Sequence, residues 1–181
     1  MFKLEIGDVF LFVNEDKGWT ADISRWGIGR YGHVALFTGP AFTNVPFLFE
    51  STGRGCAFHS LYHHYKELVL VMRPQISLFS QLQIIGNAID LSNDPEAYYD
   101  YFTIAKSCIP RVLKTKFPWL PIPVKYHRDP MMICSEAVAE CFWRAEIEVL
   151  PKDIAPLPGD FAESLILDPV HEGRLLQDIQ P

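Results

Sequence analysis

The 181-residue chain is 49% hydrophobic and 13% aromatic, enough to bury one sizeable core, so it reads as a single domain spanning residues 1–181. Sixteen basic against twenty-two acidic side chains leave a net charge of −6, which disfavours a nucleic-acid binder, because phosphate attraction needs clustered positive charge. No apolar run approaches the roughly 18 residues that span a bilayer, and MFKLEIGDVF lacks the basic start of a secretory signal.

A soluble cytoplasmic protein without a transmembrane segment is therefore expected, with phage delivery or lysis as routes outward. Nothing in the pattern fixes an oligomeric state.

LEIGDVFLFV (4–13) reads as the first strand, with Gly7-Asp8 marking a bend or bulge at its entry. In DKGWTADISRWGIG, Trp19, Ile23 and Trp26 recur at helical spacing, predicting a short helix that ends near Gly27 or Gly29. HVALF and PFLFES follow as strands, and the turn-rich TGPAFTNV between them predicts an antiparallel hairpin. After STGRG another short strand runs through Cys56 to Leu61, and KELVLVMRP (66–74) is a further strand ended by Pro74.

Leu78, Leu82, Ile85 and Ile89 fall at spacings of three and four within 77–92, predicting an amphipathic helix buried through that stripe. Residues 106–128 carry Lys106, Arg111, Lys114, Lys116, Lys125 and Arg128 with no acidic residue. Pro110, Pro118, Pro121 and Pro123 forbid a continuous helix there, so the reading is a loop-like, basic, Pro-rich lid or insertion at about 106–130. CSEAVAECFWRAEI (134–147) has Val138, Cys141, Phe142 and Ala145 on one face of a second good helix, and PLPGDFAESLIL supplies a short third one.

His33 is the anomaly, a polar residue inside a strand that otherwise reads as core. A histidine acts as general base only within reach of a nucleophile, and Cys134 is the best candidate. It falls in the first turn of its helix, where unpaired backbone N–H groups and the helix dipole favour a thiolate. The competing reading places Cys134 at the head of the buried stripe of Val138 and Cys141.

A catalytic imidazole also needs a partner on its second nitrogen. Glu50, after the apolar Phe47-Leu48-Phe49, is the natural choice, beside His33 or one step diagonal to it. A register shift of one residue would turn it to the opposite face, and a bulge would restore it. HSLYHH suggests metal, but no Cys or carboxylate arrangement completes a site, so His59, His63 and His64 read as a surface or partly packed cluster. No cofactor or metal is expected.

GDV at 7–9, GHVALF, the Glu-containing strand followed by STGRG, the VMRP strand end, YYD at 98–100, ICSEAV and LPGDFAESL together resemble the permuted papain-like amidases, the YiiX-like, circularly permuted branch of the NlpC/P60 superfamily. The similarity runs through nearly the whole chain in order. It implies an α+β fold, an antiparallel sheet or small barrel packed against helices, with the nucleophile at a helix N-terminus.

Carried over by position, the resemblance makes Cys134 the nucleophile, His33 the base and Glu50 the orienting carboxylate. The tyrosine often found before the cysteine is Ile133 here. The implied activity is a cysteine amidase or peptidase acting on a peptide, a peptidoglycan fragment or a lipid-acyl substrate, with Tyr101, Lys114 and Lys116 as substrate-binding candidates. The alternatives are an acyltransferase or lipid acyl hydrolase of the lecithin-retinol type, whose Asn-Cys-Glu-His signature is absent, and a non-catalytic module that retains the fold.

Overall fold

The computed structural model describes residues 2–15, 29–40, 45–97, 109–119, 132–176 and 178–180. In chain order these form β1 (Phe2–Lys3), β2 (Val9–Val13), β3 (Tyr31–Pro40), β4 (Pro46–Thr52), β5 (Gly55–Ser60) and β6 (Leu68–Pro74). Then follow α1 (Leu78–Asn93), α2 (Ile109–Lys116), α3 (Cys134–Arg144), β7 (Leu167–Arg174) and β8 (Ile179–Gln180). Six strands make one antiparallel sheet in the order β5-β4-β3-β2-β6-β7, and β1 pairs with β8 in parallel.

Alternation along the strands splits the core in two. Val9, Leu11, Val34, Leu36 and Phe49 face α1 and α3, while Phe10, Phe12, Ala35, Phe37 and Leu48 pack on the other side with Leu4, Leu61 and Leu175. The bend at Gly7, with φ +92°, starts the sheet at Val9 rather than Leu4. The adjacent Asp8 is fully buried and accepts from Arg73 Nε and Nη2 at 2.8 and 2.9 Å, which compensates the cost of burying its charge.

α3 is buried along its length from Cys134 to Trp143, so it is a central helix rather than one with a single apolar stripe. It packs on α1, where Asn87 Nδ2 donates to the Cys141 carbonyl at 2.9 Å. That contact selects the buried face of α1 as Ile84, Ala88 and Leu91. The expected stripe is corrected: Leu78, Leu82 and Ile89 are exposed and Ile85 is half-buried. The helix is apolar on two sides, and periodicity alone does not say which side finds a partner.

The expectation of a loop-like 106–128 also changes. Ile109–Lys116 is helical, because Pro110 sits in the first turn, where its missing N–H costs nothing, and Pro118 lies beyond the end. The expected helix between 16 and 29 falls almost entirely outside the described residues. Among those described, no helix is long and apolar enough to cross a membrane.

Candidate functional site

β3 and β4 bring His33 and Glu50 together through a register change. Near the turn Pro40 pairs with Pro46 and Gly39 with Phe47, but past the irregularity between Phe37 and Gly39 the partners are Phe37 with Leu48 and Leu36 with Phe49. One step further along that register Glu50 lies beside Ala35, on the face that His33 occupies. Without the bulge it would sit opposite Leu36 and point away.

Gly39 makes the bulge possible. Its φ is +83°, and a Cβ there would come within 2.9 Å of Ile6 Cγ1.

Glu50 is buried, with its side chain 4% exposed, and its oxygens are fully engaged. His33 Nε2–H donates to Oε2, His59 Nδ1–H donates to Oε1 at 2.7 Å, and His64 Nε2–H donates to Oε1 at 3.2 Å. HSLYHH is thus a partly packed cluster, with His59 and His64 both set against the Glu50 carboxylate, a partner the sequence reading did not name. Sequence reasoning missed them, although the tight turn through Gly53-Arg54 pairs Leu48 with His59 and so places His59 on the Glu50 face.

Burial would raise the Glu50 pKa, but the hydrogen bonds and charges of His33 and His64 hold it well below the usual carboxylate range.

Cys134 is the first residue of α3, with Ile133 as the N-cap and Glu136 Oε2 accepting the Ile133 N–H at 3.0 Å. The helix start is anchored at the end of the sheet where β3 begins and β4 ends. Ser51 Oγ, one residue beyond Glu50 and on the opposite face, donates to the Met132 carbonyl at 2.7 Å, and Ser135 Oγ donates to the Pro156 carbonyl at 2.7 Å.

This brings the Cys134 thiol against the His33 imidazole. Burial lowers the affinity of that ring for a proton, but the charge and hydrogen bond of Cys134, then those of Glu50, outweigh it and raise the pKa to about 10. Because Nε2 is held by Glu50, Nδ1 is the nitrogen left to face sulfur. Phe12 covers the ring from β2, with centroids 5.4 Å apart.

Lys114 and Lys116 are exposed on α2. Arg111 of the same helix forms a two-pronged pair with Asp160, at 2.5 and 2.8 Å, and does not join the Cys134 cluster. Tyr101 lies outside the described residues. A cavity of about 530 Å3 opens elsewhere, between Arg111, Leu150, Ile154, Pro156, Asp160 and Leu165, and neither His33, Glu50 nor Cys134 lines it.

The charge pattern makes stability pH-dependent on both sides of neutrality. Glu50, depressed in the folded state, contributes stability that is complete above about pH 4.5 and is lost on acidification. His33 and His64, raised to about 10 and about 9, contribute stability that is complete below about pH 6.5 and is lost as pH climbs through those values. Urea unfolding should therefore show a plateau between about pH 5 and about pH 6.5, with a decline on either side. Equal stability at about pH 6 and about pH 10 would contradict the protonated histidines.

The chain shares its fold with a solved structure described as the metalloprotein yiiX from Escherichia coli O157:H7. Identity is 13%, the TM-score is 0.54, and the likeness covers 94% of this chain and 98% of that one. Neither a family model nor a curated protein sequence matches the chain. The fold is α+β, a six-stranded antiparallel sheet packed against helices, of the YiiX-like, papain-like kind.

Proposed function

We propose that the chain is a cysteine hydrolase of amide bonds, with Cys134 as nucleophile, His33 as general base and acid, and Glu50 as the carboxylate that orients His33. The observation carrying this reading is the contact of a helix-N-terminal thiol with an imidazole whose other nitrogen is held by a buried carboxylate. In the first half-reaction the Cys134 thiolate, its proton already held on His33 Nδ1, attacks the carbonyl carbon. Collapse of the tetrahedral intermediate breaks the C–N bond, His33 returns the proton to the leaving amine, and a thioester remains.

In the second half-reaction water, deprotonated by His33, attacks the thioester and releases the acid and the thiol. First-turn N–H groups of α3 have no intrahelical partner and are placed to stabilise the oxyanion, a donor of that kind being worth about 3 kcal/mol. A peptide or other acyl-amide is the proposed substrate class, with exposed Lys114 and Lys116 favouring an anionic one.

The likeness to yiiX, described as a metalloprotein, raises a metal ion as a candidate at the histidine cluster. Among the described residues no group of three or more His, Cys, Asp or Glu side chains is arranged to hold one. Of the histidine nitrogens around Glu50, those of His59 and His64 meet at Oε1 and that of His33 at Oε2, each as a hydrogen-bond donor, so the carboxylate oxygens fill the points on which the rings converge. These residues do not fit a metal.

The test is chemical and needs no substrate. Brief iodoacetamide treatment at about pH 6, followed by peptide mapping, should modify Cys134 ahead of every other cysteine. Burial pushes the Cys56 thiol up to about 11 and holds Cys141 well above the ordinary range, so both should stay unmodified. First labelling at Cys56, Cys108 or Cys141 would remove the basis of the proposal.

A further inference from the structure

His64 belongs to no part of the mechanism above, yet both of its ring nitrogens are engaged by carboxylates. Nε2 lies 3.2 Å from Glu50 Oε1 and Nδ1 lies 3.2 Å from Glu67 Oε1. A carboxylate is an acceptor only, and a neutral imidazole carries a single N–H, so it can satisfy one of these two contacts and not both. The doubly protonated ring satisfies both.

The placement is built by the fold. Leu61, fully buried, pins the 3-10 turn Leu61–His64 after β5, and Phe12 packs against His64 with ring centroids 4.5 Å apart. The same phenylalanine contacts His33, so one apolar ring spaces the two histidines, whose centroids are 6.4 Å apart. Two cations at that distance repel, and the Glu50 carboxylate between them offsets the repulsion.

We propose that His64 is a positioning residue: an imidazolium bridging Glu50 and Glu67 that locks the Glu50 carboxylate in the orientation His33 requires. The inference rests on the cysteine-hydrolase reading and extends the Cys134, His33, Glu50 set outward to His64 and Glu67. The groups facing His64 are Glu50 on β4, Glu67 before β6, and His33 and His59 through their shared carboxylate.

With His64 removed, Glu50 Oε1 keeps only the His59 donor, and a positive charge disappears from the surroundings of the Cys134–His33 pair. Both losses disfavour the ion-paired thiolate, and they matter where an ordinary thiol is protonated.

The experiment measures the iodoacetamide modification rate of Cys134 in the full chain at about pH 6 and about pH 9. His64→Ala should react about tenfold more slowly than the parent at the lower pH, the loss expected of one charge-assisted hydrogen bond, and nearly as fast at the higher. His64→Gln, which keeps an N–H directed at Glu50 but no charge, should fall between. Glu67→Gln changes a half-exposed side chain and should shift the rate the same way by less, which preserves the test if His64→Ala does not fold.

Rates that match the parent at the lower pH in all three variants, or an equal fall at both pH values, would overturn the proposal. If Cys134 is not the first cysteine modified in the parent, the hydrolase reading fails and this inference fails with it. If Cys134 is first and the variants are silent, only the role of His64 is lost.

Discussion

Replacing Cys134 with alanine is expected to abolish amide cleavage, by about 10^4-fold or more, because among the described residues Cys134 is the thiol that His33 meets. The remaining described thiols do not substitute for it. Cys141 sits fully buried seven residues along α3, donating to the Ala137 carbonyl at 3.2 Å, and Cys56 lies on β5 with its thiol pushed up to about 11 by burial. The measurement is amine release from a panel of peptidyl and acyl amides, comparing parent, Cys134→Ala and Cys141→Ala.

The fold should survive, since the change removes one sulfur from a helix that Val138, Phe142 and Trp143 also hold in the core. Activity retained in Cys134→Ala but lost in Cys141→Ala would move the nucleophile by two turns of helix and sink the assignment. Equal activity in all three proteins would place the chemistry outside both Cys134 and Cys141.

The parts of this arrangement that were legible in the sequence are those fixed by local rules. Gly39-Pro40 and the residues up to Val45 announce a reversal, period-two patterning gives β3 and β4, and the break from DPMMI into CSEAVAECF places Cys134 at a helix start. The parity of Glu50 was open, because it depends on one residue at a bulge. Gly39 is the physical cause, and a glycine at a strand end can be read only as permission for a positive φ, not as proof of one.

The three-histidine environment of Glu50 was less accessible. His59 follows from counting back across the two-residue turn at Gly53-Arg54, but His64 comes from a 3-10 turn whose direction is set by burial of Leu61. Period-two reasoning ends at Ser60. The exposed face of α1 failed for a related reason: Leu78, Leu82 and Ile89 form as good a stripe as Ile84, Ala88 and Leu91, and packing against α3 decides between them. The prolines in 106–128 do forbid a continuous helix, but the interval from Pro110 to Pro118 admits two turns of one.

Glu50→Gln should retain the fold and lower the hydrolytic rate by about 10^3- to 10^4-fold, because the amide presents an N–H where the carboxylate presented only acceptors. Three histidine nitrogens now donate to the two Glu50 oxygens. A glutamine oxygen can accept two of those bonds, but its NH2 group faces at least one donor and repels it. His59 and His64 share Oε1 while His33 alone holds Oε2, so the amide oxygen takes the Oε1 place, the NH2 group faces His33, and His33 is the ring expected to change.

His33 is then a neutral ring protonated on Nδ1 alone, which cannot hold the Cys134 proton as well, and the base is lost without any change in the position of the thiol. The loss should therefore fall on kcat far more than on KM. It should also appear in the nitrogen NMR of the His33 ring as loss of the Nε2 proton with Nδ1 still protonated. A Glu50→Gln protein with unaltered kcat and an unaltered His33 tautomer would mean that the buried carboxylate serves folding alone. The partner of His33 would then have to be sought in another group at the end of β3.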